Sequence, residues 1–141
     1  FVFAGSAMAA GGGIAMVFTP VEEAGPARKM AAAGAAIELG ALYTVEESGG
    51  IESEPYHLGR AGKLMQAAKT CTAAGAGLTL VAGRTRAGQI ASGTLLAAGS
   101  LLTRFGVFDA GMASARDPKY TVIPQRERLA ARAETRRVEH A

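Results

Sequence analysis

Apolar and small residues fall into four blocks along the chain, and nearly all of the charge lies between them. Phe1–Phe18 has neither a charge nor a proline, Met30–Val45 holds the single charge Glu38, Leu64–Gly83 holds Lys69, and Gln89–Met112 holds Arg104 and Asp109. A helix needs roughly 20 apolar residues to cross the ~30 Å hydrocarbon core of a bilayer. The blocks approach that length, so the pattern predicts four transmembrane helices at about 1–18, 30–45, 64–83 and 89–112. Short connections between them imply an all-α, up-down-up-down bundle over residues 1–112, followed by a polar basic tail over 113–141.

Small residues recur within each block at helical spacing: Ala7, Gly11 and Ala15; Ala32, Ala36 and Gly40; Ala73 and Gly77; Gly93 and Ala97. In lipid such a stripe lets a second backbone approach closely, so each set is expected on a contact face. The connection TPVEEAGPARK places Pro26 where a helix accepts it, in the first turn. The longer EESGGIESEPYHLGRAGK has a Gly-Gly pair and Pro55 to interrupt a helix, and RTRAG reads as a tight turn.

Composition sharpens this picture. Of 141 residues, 49% are hydrophobic and 19% charged, with 19 glycines. The mean hydropathy is modest because the polar tail dilutes it and the blocks use Ala and Gly more than Leu and Ile. Basic and acidic side chains balance up to Met112, which puts the net charge of +3 in the tail. Arg28, Lys29, Arg84 and Arg86 fall at one end of the blocks, and Arg60, Lys63 and the tail at the other. The second end is richer in Lys and Arg, which predicts a cytoplasmic C-terminus. The chain enters its first block at Phe1 without a charged leader, which argues against a signal peptide and suggests a piece of a longer protein.

Several functions are disfavoured. The basic excess is small and lacks a set of stacking aromatics, so nucleic acid is not an expected partner. His57 and His140 fall in a connection and in the tail, which leaves no axial ligand for a haem inside the blocks. His57 beside Glu46, Glu47, Glu52 and Glu54 lacks the spacing of a closed metal site. Cys71 stands alone and reads as a small apolar residue. GAGLTLVAG lacks the full spacing of a phosphate-binding loop, and no serine, cysteine or histidine constellation points to hydrolysis.

The charges inside the blocks are the candidate chemistry. At ~1.5 Å per residue, Glu38 lies about 10 Å from the end of the second block, Lys69 about 8 Å from the start of the third, and Arg104 about 12 Å from the end of the fourth. All three depths are counted from the same face, so one acid and two bases share a layer. Intramembrane ionisable groups mark proton, ion or ligand paths, and Glu38 is expected to pair with Lys69 or Arg104 along a quinone or proton path. The structural alternative is that the two bases snorkel to the interface while Glu38 bonds a neighbouring helix. Asp109, between Phe105 and Phe108, is expected to help end the fourth span. Asp117, Tyr120, Gln125 and Arg126 belong to a proline-punctuated segment with an extended run at Tyr120–Ile123. With Asp109 they are candidates for contact with a partner or across the bundle end. The closing RLAARAETRRVEHA reads as a solvated or frayed helix.

The segment LTRFGVFDAGMASARDPKYTVIPQRER closely resembles the C-terminal signature of the NrfD/PsrC family of polysulfide-reductase-type integral membrane subunits. FAGSAMAAGGG, PARKMAAAGAAIELGAL and YHLGRAGKLMQAAK resemble the family more weakly, so the likeness covers the whole chain. Members carry eight or more spans in two four-helix bundles, and this chain is similar to the C-terminal half. The resemblance implies a haem-free subunit in a prokaryotic cell membrane that binds no tight cofactor of its own. It implies exchange of electrons between a membrane quinone or quinol and a ferredoxin-type iron-sulfur partner, with molybdopterin in a further catalytic subunit. The family's best-understood quinone site belongs largely to the other bundle, so no family residue carries over. Two other classes remain open: a structural anchor or assembly subunit without a quinone site, and a transporter fragment, which the lack of a broken helix pair opposes.

Overall fold

A computed structural model describes residues 1–47 and 59–116, with Val122, Gln125, Arg126 and Leu129 beyond them. Among the described residues the architecture is all-α, with four helices and no strand: α1 (Val2–Phe18), α2 (Gly25–Glu47), α3 (Gly59–Val81) and α4 (Arg86–Arg116). Three helices run further than the apolar blocks. α2 begins at Gly25 and places Pro26 in its first turn, where the missing N–H costs no helical bond. α3 begins at Gly59, whose φ of 59° is a left-handed conformation suited to glycine. α4 passes through Asp109 to Arg116, so that aspartate does not end the helix; its carboxylate instead meets Arg60 at 3.2 Å. Of the four helices, α4 alone is long and apolar enough to cross a membrane on length and composition; α1 is apolar but has 17 residues.

The helices form a ring in which α1 packs on α2 and α4, α3 packs on α4, and the α2–α3 seam is the loosest side. Paired positions fix the directions. On α1 and α2, Gly5 faces Glu38 and Gly12 faces Ala31; on α1 and α4, Ser6 faces Ser100 and Gly13 faces Gly93; on α3 and α4, Gly75 faces Leu96 and Gly106 faces Met65. As one number rises the other falls, so neighbouring helices are antiparallel, as expected for an up-down-up-down bundle.

Glycine sets how closely the backbones approach. A Cβ added to Gly5 would lie 2.5 Å from the Glu38 backbone nitrogen, and one added to Gly12 would lie 2.5 Å from that of Ala31. Gly34 meets the backbone of Met8 and Ala9 in the same way. The close-contact faces differ from the stripes expected from the sequence. Ala7 and Gly11 are exposed, as are Ala36, Gly40, Ala73 and Gly77, whereas Gly93 is buried as expected. The buried face of α1 is Gly5, Ser6, Ala9, Gly12, Gly13 and Met16. Several four-residue spacings fit these small-residue-rich blocks, and the true one is rotated by one or two positions.

Large apolar side chains lie mainly outside. Phe3, Ile14, Ile37, Leu80, Ile90, Leu101, Phe105 and Phe108 are exposed, Leu80 by 77%. The interior is built from Ala, Gly, Ser and Thr, with Met16 and Leu96 as its bulkiest apolar side chains. Exposed hydroxyls bond within their own helices: Thr70 donates to Gln66 O at 2.9 Å and Thr94 to Ile90 O at 2.8 Å.

A paired substitution tests the packing. Gly34→Ala is expected to lose about 1–3 kcal/mol of stability through backbone overlap, whereas Gly40→Ala, with nothing within 4 Å of its added Cβ, should gain up to about 1 kcal/mol. Thermal unfolding followed by circular dichroism in detergent measures both, and equal effects would refute the register.

Candidate functional site

Glu38 follows Ala31 and Ala35 along the inward face of α2, and Leu42 continues that face one turn on. The close approach of Gly5 seals α1 against the backbone of Glu38, and the residue is wholly buried. Its carboxylate finds hydroxyl donors on two other helices. Thr103 Oγ1 of α4 donates to Oε1 at 2.7 Å, and Thr72 Oγ1 of α3 reaches Oε2 at 3.4 Å. The Thr103 hydroxyl also lies 3.1 Å from Gly99 O; having one proton to give, it favours the shorter contact to Glu38.

A second polar pair joins the remaining helix. Ser6 Oγ of α1 donates to Ser100 Oγ of α4 at 2.9 Å, and both serines are buried. The Arg104 guanidinium donates from the outer side to the Ser100 hydroxyl, and to Ser100 O at 3.2 Å. The hydroxyl-rich zone around Glu38 therefore ties α2 to α3 and α4, and α4 to α1.

The three charges expected to share a layer are placed differently. Glu38 is central, Lys69 is half-buried on α3 one turn from Thr72, and Arg104 is on the outward side of α4. The expected Glu38–Arg104 ion pair does not form, because the guanidinium is directed to Ser100 and the Glu38 oxygens are met by threonines. Asp109 pairs with Arg60 at the far end, beside a cavity of about 400 Å³ whose lining includes Phe108, Met112 and Arg116. Asp117 and Tyr120 lie outside the described residues, as does His57 with most of its connection. Gln125 and Arg126 are helical and exposed, and Val122, within the run expected to be extended, is helical too. Among the described residues no group of three His, Cys, Asp or Glu side chains could hold a metal ion.

Sequence reasoning missed Thr72, Thr103, Ser6 and Ser100, although their signal is present. Gln89, Ser92, Leu96, Gly99, Thr103, Gly106 and Ala110 recur at three- and four-residue steps, the signature of one helix face. Gln89 was also missed: its Nε2 donates to Met16 O at 2.5 Å and Thr19 O at 3.0 Å, satisfying carbonyls at the end of α1. Arg86 does the same for Val17 O at 2.8 Å and Thr19 O at 3.2 Å. Comparison with known protein families, with characterised proteins and with solved structures finds no match for this chain.

Chemically, a carboxyl held by hydroxyls differs from one held by a cation. A threonine hydroxyl can donate to a carboxylate or accept from a carboxylic acid, so Glu38 keeps a hydrogen-bond partner whether or not it carries a proton.

Thr103→Val keeps the shape and removes the shorter bond to Glu38. It is expected to lose about 0.6–2 kcal/mol of stability. Thr94→Val, which alters an exposed hydroxyl bonded within its own helix, should stay within about 0.5 kcal/mol. Unfolding of the two variants side by side decides whether the Glu38 contact is energetically distinct.

Proposed function

We propose that this chain is a four-helix membrane bundle of a quinone-linked oxidoreductase subunit, and that Glu38 is its proton-exchanging group. The observation that carries the reading is the polarity of the bundle: a wholly buried carboxyl among Thr, Ser, Gly and Ala, surrounded by a surface of Phe, Leu and Ile. Water favours the reverse arrangement, since exposed apolar patches are limited in soluble monomers. Lipid tolerates this one, because there helices associate through close packing of small residues and interhelical hydrogen bonds. All four helices are then spans, with α1 and the shorter apolar stretches matched to the bilayer by tilt or local thinning.

The resemblance of LTRFGVFDAGMASARDPKYTVIPQRER to the NrfD/PsrC signature supplies the class of reaction. A quinol that gives up two electrons also gives up two protons, and the electrons pass to an iron-sulfur partner. This chain's part is to hold and release a proton: Glu38 accepts it, and Thr103 and Thr72 orient the carboxyl. The loose α2–α3 seam, where Thr72 meets Glu38, is the side from which a quinone ring could approach. The lysine and arginine distribution favours a cytoplasmic C-terminus in a prokaryotic membrane.

Purification of the intact protein from its native membranes in mild detergent tests this reading. An iron-sulfur protein should co-purify, and its clusters should be reduced by a quinol analogue. Glu38→Gln preserves size and hydrogen bonding but cannot ionise, so it should lower quinol-dependent reduction by roughly 100-fold at unchanged assembly. Unchanged turnover in that variant would remove Glu38 from the path.

A further inference from the structure

The end of the bundle that carries the α1–α2 and α3–α4 connections is unlike the other. Between the first turn of α2 and the last turn of α3 lies a cavity of about 350 Å³ lined by Arg28, Lys29, Arg84, Thr79, Ala32 and Leu80. Three cationic side chains and a hydroxyl therefore border one space, and its remaining side-chain lining is apolar. No acidic residue lines it; Glu22 and Glu23 of the adjacent connection are exposed and lie outside it.

Arg28 is held in place. Its Nη1 donates to Val21 O at 3.0 Å and to Gly83 O at 3.3 Å, which ties both connections together and leaves Nη2 and Nε for another acceptor. Lys29 and Arg84 are exposed and free to adjust. The first turn of α2 adds the positive end of a helix dipole. Leu80, which lines the cavity, is itself exposed and presents apolar surface to the outside, and the exposed Val81 follows it in the chain.

We infer that this cavity binds the phosphate group of an anionic phospholipid. The shared chemistry is a phosphate oxyanion held by guanidinium and ammonium donors; the apolar flank selects a source that brings an acyl chain. Clustered guanidinium and ammonium donors match a phosphate oxyanion, and the depth agrees, because the cavity lies where the uncharged run of α3 gives way to Arg84 and Arg86. Arg28 positions the site, and Lys29 and Arg84 supply the adjustable charge. This inference rests on the proposal that the outer faces of the helices lie in lipid.

The test uses the full chain with vesicles of phosphatidylcholine alone and of phosphatidylcholine mixed with phosphatidylglycerol, followed by native mass spectrometry of retained lipid. Wild type should float with both vesicles and retain phosphatidylglycerol in preference to phosphatidylcholine. Lys29→Gln/Arg84→Gln, which alters two exposed side chains, should float equally well and lose that preference by roughly tenfold. Lys63→Gln/Arg116→Gln, the same charge change at the opposite end, should keep it. Equal retention of both lipids, or a preference unchanged in Lys29→Gln/Arg84→Gln, overturns the site while the lipid-facing reading stands. Displacement of phosphatidylglycerol by millimolar inorganic phosphate assigns the cavity to free phosphate and overturns the lipid assignment. Failure of wild type to float with either vesicle overturns the lipid-facing reading itself.

Discussion

The structure depends on how closely α1 can lie against α2 and α4. At Gly5, Gly12 and Gly34 the backbones of α1 and α2 approach until no Cβ fits between them, and Gly13 and Gly93 do the same for α1 and α4. Dispersion contacts between backbones then replace the interlocking of large side chains. Two consequences follow from this one constraint. The interior is built mainly from small residues and short hydroxyls, with a few longer side chains such as Met16, Leu96, Glu38 and Gln89 among them, and most of the large apolar residues lie on the outside.

The buried polar groups follow from the same geometry. With helices this close, a threonine on α4 spans the gap to Glu38 at 2.7 Å and a serine on α1 reaches a serine on α4 at 2.9 Å. An unpartnered carboxyl in so dry a place would be costly, so the two threonines are as much a part of the site as the acid. At one end, Arg28, Arg86 and Gln89 turn side chains toward backbone carbonyls of α1 and the connections. Two of the basic residues that suggested membrane orientation therefore also hold the helix ends.

The existence and order of the four helices were legible in the sequence, because four weakly charged blocks separated by charge leave little choice. Their ends were less so: Arg60, Lys63 and Arg86 are good helix formers, and the helices run past the apolar boundary to include them. Glu38 stood out as a charge amid small residues, and its burial agrees with that reading. Its partners did not stand out, since depth along a helix says nothing about rotation around it. Arg104 shares a depth with Glu38 but faces outward, while Thr103, one residue away, faces in. The contact stripes failed for the same reason, as Ala and Gly are so frequent that a four-residue repeat can be drawn on almost any face.

The central claim is that this bundle has its polar side inward and its apolar side in lipid. The direct measurement is the collision rate of nitroxide labels at Ile14, Ile37 and Leu101, all exposed on the outer surface, with oxygen and with a neutral nickel chelate in reconstituted membranes. The account predicts that oxygen, which concentrates in the bilayer, dominates at all three sites on α1, α2 and α4. Dominance of the water-soluble chelate at all three would contradict it, and would make the bundle a soluble one with an unusually apolar surface.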